Sequence, residues 1–199
     1  IKYSSEGEVE WATSVGGSSY DQIASVASTS DGGYVVGGYF KSTIQVGEYT
    51  LTNKGSNDGM VIKFEKQELA NPIVTSGISI GGNKRDEIKS VVVTSDGGYV
   101  VGGYFAGTIQ VGEYTLTSKG TQDGMVIKYS SEGQVEWATS IGDRNESIIN
   151  SVAETSDGGI VAGGYFAGTI QVGEYTLTSR ARGWNCNKIQ QGRTGRMGR

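Results

Sequence analysis

Internal repetition constrains the fold of this chain more than any other feature, because three segments are close copies of one another. The tetrapeptide SDGG recurs with spacings of 65 and then 61 residues, at Ser30, Ser95 and Ser156. The decapeptide TIQVGEYTLT recurs in the same order, starting at Thr43, Thr108 and Thr169. Residues 1–14 also copy residues 127–140 with a single change. Copies this close indicate repeated duplication of one structural unit.

Each unit is predicted to consist of β-strands joined by tight turns. In the first copy, the strand-forming runs IASVASTS and YVVGGYF flank DGG, in which glycine supplies the positive φ of a hairpin turn. A second hairpin joins MVIKY to QVEWATSI through SSEG, and a small ribbon turning at VGEY lies between the two hairpins. Four antiparallel strands repeated at this spacing predict an all-β fold, a β-propeller whose blades each carry a ribbon insertion. A β-solenoid is the alternative, although its coils repeat over shorter spacings.

These motifs resemble the bacterial β-propeller repeat family known as SBBP. The resemblance rests on DGMVIKYSSEGQVEWATSIG, a short polar loop and then SVAETSDGGIVAGGYF, and it covers residues 1–179. It implies a propeller module that acts outside the cell or on the bacterial surface. It implies no particular activity, because such domains are mostly of unassigned function.

Composition narrows the range of functions. No apolar run approaches the roughly 18 residues that a membrane-spanning helix needs. The single cysteine and the absence of histidine exclude an internal disulfide, a Cys/His zinc site and a histidine-based catalytic triad. Residues 1–179 carry 11 basic and 21 acidic residues, a balance that argues against nucleic-acid binding. We therefore expect no cofactor, no metal and no nucleic-acid partner.

The last twenty residues, 180–199, match no repeat and contain six basic residues and no acid. When the segment from Gly183 is back-translated and read one base later, it encodes DGIVIKYSREGQVEWA. Residues 123–138 read DGMVIKYSSEGQVEWA, which differs at two positions. Third codon bases are free choices, but the first two are nearly fixed, so chance agreement of this length is implausible. The segment is predicted to be the next repeat read out of frame, and therefore a disordered tail rather than a basic arm.

The repeats divide the chain into two complete blades and two half blades. The complete blades span 23–80 and 88–141, and the half blades span 1–16 and 148–179. Three blades are too few for a ring, and unmatched halves leave strand edges open to another chain. We therefore expect homo-oligomers, most simply a six-bladed dimer in which each N-terminal hairpin completes the partner's last blade. The alternative is that the chain is a piece of a longer propeller.

The loops that lead into the first strand of each unit differ most between the copies, and binding residues favour loops on a rigid scaffold. The candidate ligand-binding residues are Tyr20, Asp21, Lys84, Arg85, Asp86, Arg144, Asn145 and Glu146. Unselected drift of solvated loops is the alternative, and the acid pairs Glu8–Glu10 and Asp86–Glu87 are expected to be solvated. The chain is predicted to be a non-enzymatic module that binds a glycan or surface ligand and self-assembles. A carbohydrate-active enzyme using loop carboxylates is the alternative.

Overall fold

The structure is a computed structural model that describes residues 1–67, 72–179 and 183–189, the last of these as backbone. Its described residues form β-strands, turns and loops, with no helix among them. In chain order the strands are β1 (Lys2–Tyr3), β2 (Val9–Trp11), β3 (Gln22–Ser28), β4 (Tyr34–Phe40), β5 (Ile44–Val46), β6 (Tyr49–Leu51), β7 (Asp58–Glu65), β8 (Ile73–Ile80), β9 (Glu87–Val93), β10 (Tyr99–Phe105), β11 (Thr108–Val111), β12 (Tyr114–Thr117), β13 (Asp123–Tyr129), β14 (Val135–Ile141), β15 (Ser147–Glu154), β16 (Ile160–Phe166), β17 (Thr169–Val172), β18 (Tyr175–Thr178) and β19 (Gly183–Ile189). The predicted all-β class is confirmed.

The strands form several small antiparallel sheets that follow the repeats. Unit one is the four-stranded sheet β3-β4-β7-β8, unit two is β9-β10-β13-β14, and unit three is β15-β16-β19. β1 and β2 form the N-terminal hairpin, and each repeat also carries a two-stranded ribbon, namely β5-β6, β11-β12 and β17-β18. The meander order within each four-stranded sheet is the order that the sequence predicts.

The predicted turn chemistry is present at both kinds of turn. At the SDGG turn of unit one, Gly32 has a φ of 84° and the Asp31 carboxylate accepts a hydrogen bond of 3.1 Å from the Gly33 amide. At the tip of the first ribbon, Gly47 has a φ of 59°. Because side chains are strained at such φ values, glycine at these turns fixes the strand register on either side.

Among the described residues, two of the three clusters of buried apolar residues lie between consecutive units, and the third lies between the sheet of unit one and its ribbon. β9 packs against β3 and β4, and β15 packs against β9 and β10. Gly37 is needed at the first of these contacts, since a Cβ there would lie 2.7 Å from Cγ2 of Ile88. Gly102 is needed at the second, where a Cβ would lie 2.7 Å from Cγ1 of Val152. Because glycine has no side chain at these two positions, the first strands of units two and three can approach the preceding sheet closely.

Each contact between consecutive units, here called a seam, also contains a hydrogen bond from a backbone amide to a serine hydroxyl. The Val91 amide donates to Oγ of Ser25 at 3.0 Å, and the Val152 amide donates to Oγ of Ser90 at 3.1 Å. The two contacts between units are thus copies of each other in apolar packing and in hydrogen bonding.

One part of the tail differs from the expectation of disorder. Residues 183–189 form β19, which pairs with β16 from Ile160↔Ile189 to Phe166↔Gly183. Backbone pairing is independent of side-chain pattern, so an out-of-frame sequence still adds to an open strand edge. The other residues of the tail lie outside the described residues.

Candidate functional site

The loops that lead into β9 and β15 are fastened to the preceding unit by backbone hydrogen bonds. The Ser56 amide donates to the Lys84 carbonyl at 3.0 Å, and the Asp86 amide donates to the Asn57 carbonyl at 2.9 Å. The Ser147 amide bonds in the same way to the Gln122 carbonyl at 3.0 Å. The candidate ligand-binding residues of units two and three therefore lie on loops held by the preceding sheet, and together with the loop of Tyr20 and Asp21 these loops are here called the rim.

Two of these candidates, Asp21 and Asp86, support the loops themselves. The carboxylate of Asp86 accepts from the Gly82 amide at 2.8 Å and from the Ala106 amide at 3.0 Å. Asp21 accepts in the same way from two amides, Gly17 at 2.7 Å and Lys41 at 3.1 Å. Burial raises the pKa of Asp86 to about 6, because it outweighs the two amide bonds that favour the charged form. These oxygens are committed to the loop and are poorly placed to take an external ligand.

Three further candidates share one repeat position, one or two residues before the first strand of each unit. Tyr20 is exposed, with its ring centroid 6.2 Å from that of Tyr39. The Arg85 guanidinium lies 5.9 Å from the centre of the Tyr104 ring. In unit three, Glu146 accepts a hydrogen bond of 2.8 Å from the side chain of Gln122. Each copy thus places a different chemical group at the same point of the rim.

The remaining candidates, Lys84, Arg144 and Asn145, are exposed on the same loops. They stay candidates on position alone.

The expectation that Asp86 and Glu87 are solvated was wrong, because both residues are buried. The Glu87 side chain has no exposed surface and accepts from Arg85 at 2.6 Å, from Lys89 at 2.5 Å and from Asn57 at 3.0 Å. The Tyr104 hydroxyl also hydrogen-bonds to it. Burial by itself raises the pKa of Glu87, but the bonds from Lys89, Tyr104 and Arg85 outweigh it and hold that pKa below its usual value.

A signal for this cluster exists in the sequence, since unit two alone combines Arg85, Glu87 and Lys89 at alternate positions. Unit one has Tyr20, Gln22 and Ala24 at these positions, and unit three has Glu146, Ile148 and Asn150. Alternation along a strand places the three charged groups close together. Burial was not foreseeable, because Asn57 reaches Glu87 from a different unit.

A second charged cluster lies at the SDGG turn of unit two. The buried Lys128 ammonium donates to the Thr94 hydroxyl at 2.9 Å and to the Asp96 carboxylate at 2.9 Å. Hydrogen bonds from Thr94 and then from Lys128 lower the pKa of Asp96 to about 2. A cavity of about 110 Å³ adjoins the cluster and is lined in part by Trp137 and Glu154. Because the Lys128 ammonium donates its hydrogen bonds to groups at this turn, we infer that the cluster stabilises the fold.

The largest departure from the repeat pattern is an open apolar face on unit one, here called the head face. Ile23 is 40% exposed and Val26 is 65% exposed, whereas their counterparts Ile88 and Val91 in unit two are 0% and 6% exposed. A cavity of about 300 Å³ opens beside them, lined also by Trp11 and Tyr34. The head face thus carries the same residues that unit two buries against unit one, but no complete sheet among the described residues covers it.

A second uncovered surface, here called the tail face, lies on unit three. It corresponds to the faces of units one and two on which the next unit packs. Its members are Ser151, Val161, Gly163 and Tyr165. Ser151 is exposed and Val161 is half-buried, whereas Val35 and Val100, the counterparts of Val161, are fully buried. The chain therefore presents one half of a seam on each of its two end units.

Comparison of the chain with models of known protein families and with curated proteins found no match. No helix in the described part of the chain is long and apolar enough to cross a membrane.

Proposed function

We propose that the protein is a non-enzymatic β-propeller module that self-assembles head to tail, the head face of one copy packing on the tail face of the next. The observation that carries this proposal is the exposure of Ile23 and Val26 at positions whose two other copies are buried inside the chain. Exposed contiguous apolar surface of this kind marks an interaction site.

A second copy of the chain is the occupant that the repeats favour. In unit two, Ile88 and Val91 pack on a sheet that carries Val35, Gly37 and Ser25. The tail face presents Val161, Gly163 and Ser151 at the same repeat positions. The tail face therefore carries the residue types on which a head face can pack, as in the two seams within the chain. The interface between copies would be a further seam of the same kind.

The proposed interface also has a defined polar contact. In both internal seams a valine amide donates to a serine hydroxyl of the preceding unit. The corresponding groups between two copies are the amide of Val26 and the hydroxyl of Ser151, which is exposed. A hydrogen bond at this point would fix the register of the two copies.

A closed ring is the assembly that such an interface favours. Head-to-tail contacts are heterologous, so they form rings when the rotation closes and filaments when it does not. Two copies would bring together six units, counting the N-terminal hairpin of one chain with unit three of the other as a single blade. Six lies within the usual range of four to eight blades for a propeller.

Such a ring would present each rim loop more than once, which suits avid binding of a repetitive surface such as a glycan. The resemblance to SBBP repeats supports a location outside a bacterial cell. The proposal leaves the loop carboxylates a structural role, supported by the backbone bonds that Asp21 and Asp86 accept. It assigns ligand contacts to the exposed rim groups at Tyr20, Lys84, Arg85, Arg144 and Asn145, with Glu146 beside them.

Complementation between two variants tests the head-to-tail arrangement. Val26→Asp places a charge on the head face, and Gly163→Val places a side chain where the tail face must be bare. We expect each variant alone to be monomeric and an equimolar mixture to form a heterodimer through the one intact interface. The matched control mixes Val26→Asp with a Val26→Asp/Gly163→Val double variant, which has no intact pair and should stay monomeric. If the first mixture also stays monomeric while the wild type assembles, the head-to-tail arrangement is wrong.

A further inference from the structure

β19 occupies the same place in unit three that β13 occupies in unit two. β13 pairs with β10 from Tyr99↔Tyr129 to Phe105↔Asp123, and β19 pairs with β16 from Ile160↔Ile189 to Phe166↔Gly183. Tyr99 and Ile160 are the same repeat position, so the two registers coincide residue for residue. The tail therefore fills the third-strand position of unit three.

The residue types of β19 are poorly suited to that position. In β13 the central residues Met125, Val126 and Ile127 are fully buried. The residues at the corresponding register positions of β19 are Asn185, Cys186 and Asn187. Since backbone hydrogen bonds are independent of residue type, β19 keeps the pairing but lacks the apolar residues that contribute core stability at this position in unit two.

The start of the N-terminal hairpin has the sequence that one end of this position requires. Ile1 and the two residues of β1, Lys2 and Tyr3, repeat Ile127, Lys128 and Tyr129, the last three residues of β13, and so correspond to Asn187–Ile189 of β19. Within the described residues β1 pairs only with β2, so its second edge is available to another strand. In unit two, the strand at this position pairs on both edges, with β10 and with β14.

We propose that β19 is a placeholder that covers the edge of β16 in the free chain, and that the start of the N-terminal hairpin of a second copy displaces the last three residues of β19, 187–189, during assembly. This inference rests on the proposed head-to-tail function and adds the strand that is exchanged. When the head face of one copy packs on the tail face of another, the N-terminal hairpin of the incoming copy lies next to β16. The strength with which β19 holds that edge then sets the affinity between copies.

Variants that weaken or strengthen β19 test the proposal in the full chain. Asn185→Pro removes a backbone donor from the β16–β19 pair and should lower the dissociation constant of the dimer at least tenfold. Asn185→Met/Asn187→Ile restores the residues of β13 and should raise the constant at least tenfold. Thr194→Pro, elsewhere in the tail, is the control and should leave it unchanged.

Hydrogen exchange measured by mass spectrometry gives a readout that is independent of variants. On assembly, the amides of residues 187–189 should lose protection at least tenfold, while peptides covering β16 keep theirs and the amide of Tyr3 gains protection. If the wild type assembles but 187–189 stay protected and neither β19 variant changes the dissociation constant, displacement is wrong and head-to-tail assembly stands. If the wild type does not assemble, both proposals are overturned.

Discussion

Truncating Val26 to alanine should weaken assembly by an amount that the exposure of this side chain fixes. The substitution removes two methyl groups, each contributing about 0.8 kcal/mol when fully buried. Val26 is 65% exposed in the single chain, so assembly covers about two thirds of it. The loss is therefore about 1 kcal/mol at each interface. A closed dimer has two such interfaces, which gives about 2 kcal/mol and a roughly 30-fold higher dissociation constant.

The matched control is Val91→Ala, the same substitution at the covered copy of this position. Val91 is buried inside the chain, so its truncation should lower the free energy of unfolding by about 2 kcal/mol. It should leave the dissociation constant within about twofold of the wild type. Val26→Ala should do the reverse, with an unfolding free energy of the monomer within about 0.5 kcal/mol of the wild type.

Sedimentation velocity over a range of concentrations measures the dissociation constant, and urea unfolding of dilute protein measures stability. An unchanged dissociation constant for Val26→Ala, with the expected loss of stability for Val91→Ala, would refute the assignment of the head face as the interface.

Three further outcomes follow from the contacts described above. Ser151→Ala should raise the dissociation constant of the dimer about 30-fold without changing monomer stability, because a closed dimer contains two such bonds of about 1 kcal/mol each. Ser25→Ala, which removes the bond to the Val91 amide, should lower unfolding stability by about 1 kcal/mol. Equal effects of the two on assembly would count against a Val26–Ser151 bond. Glu87→Gln should lower the unfolding free energy by about 2 to 3 kcal/mol, because it removes the buried negative charge that compensates Arg85 and Lys89 and replaces one acceptor oxygen by an NH2 donor. Adding Arg85→Tyr and Lys89→Ala, which copies unit one, should recover most of that loss in urea unfolding. Sequencing the coding DNA for residues 183–199 should reveal the repeat in the reading frame one base later, and a shifted frame without it would contradict the origin assigned to the tail.

Much of the architecture was predictable from the sequence, because local chemistry and repetition agree. The SDGG and VGEY turns require glycine at positive φ, as Gly32 and Gly47 show, and these turns delimit the strands. Strand β4 begins and ends where YVVGGYF does, at Tyr34 and Phe40. Because the same turn sequences recur in all three copies, a turn assigned in one copy can be checked against the other two.

The burial of Glu87 was beyond sequence reasoning, because it depends on contacts between distant residues. Adjacent acids such as Asp86 and Glu87 usually lie in solvent, and the pattern of the loop gives no reason to expect otherwise. Asn57 lies 30 residues earlier, and it approaches Glu87 only because unit one packs beside unit two. Charge compensation by Arg85 and Lys89 then permits a carboxylate in the interior.

β19 was missed for a different reason. Prediction of strands relies on side-chain periodicity, and the tail has none of it. The edge of β16 recruits whatever backbone follows it in the chain, so the neighbouring strand rather than the sequence of β19 determines its structure. The exposure of Ile23 and Val26 was foreseeable only in part. The half blade at residues 1–16 indicates that unit one lacks a complete neighbour, but the sequence does not show which side chains are thereby left uncovered.

The mass of the wild-type protein in solution tests the central claim most directly. Native mass spectrometry at micromolar concentration should find a species of twice the 21.0 kDa chain mass, formed reversibly on concentration and lost in Val26→Asp. A single species of 21.0 kDa that persists to millimolar concentration would contradict head-to-tail assembly.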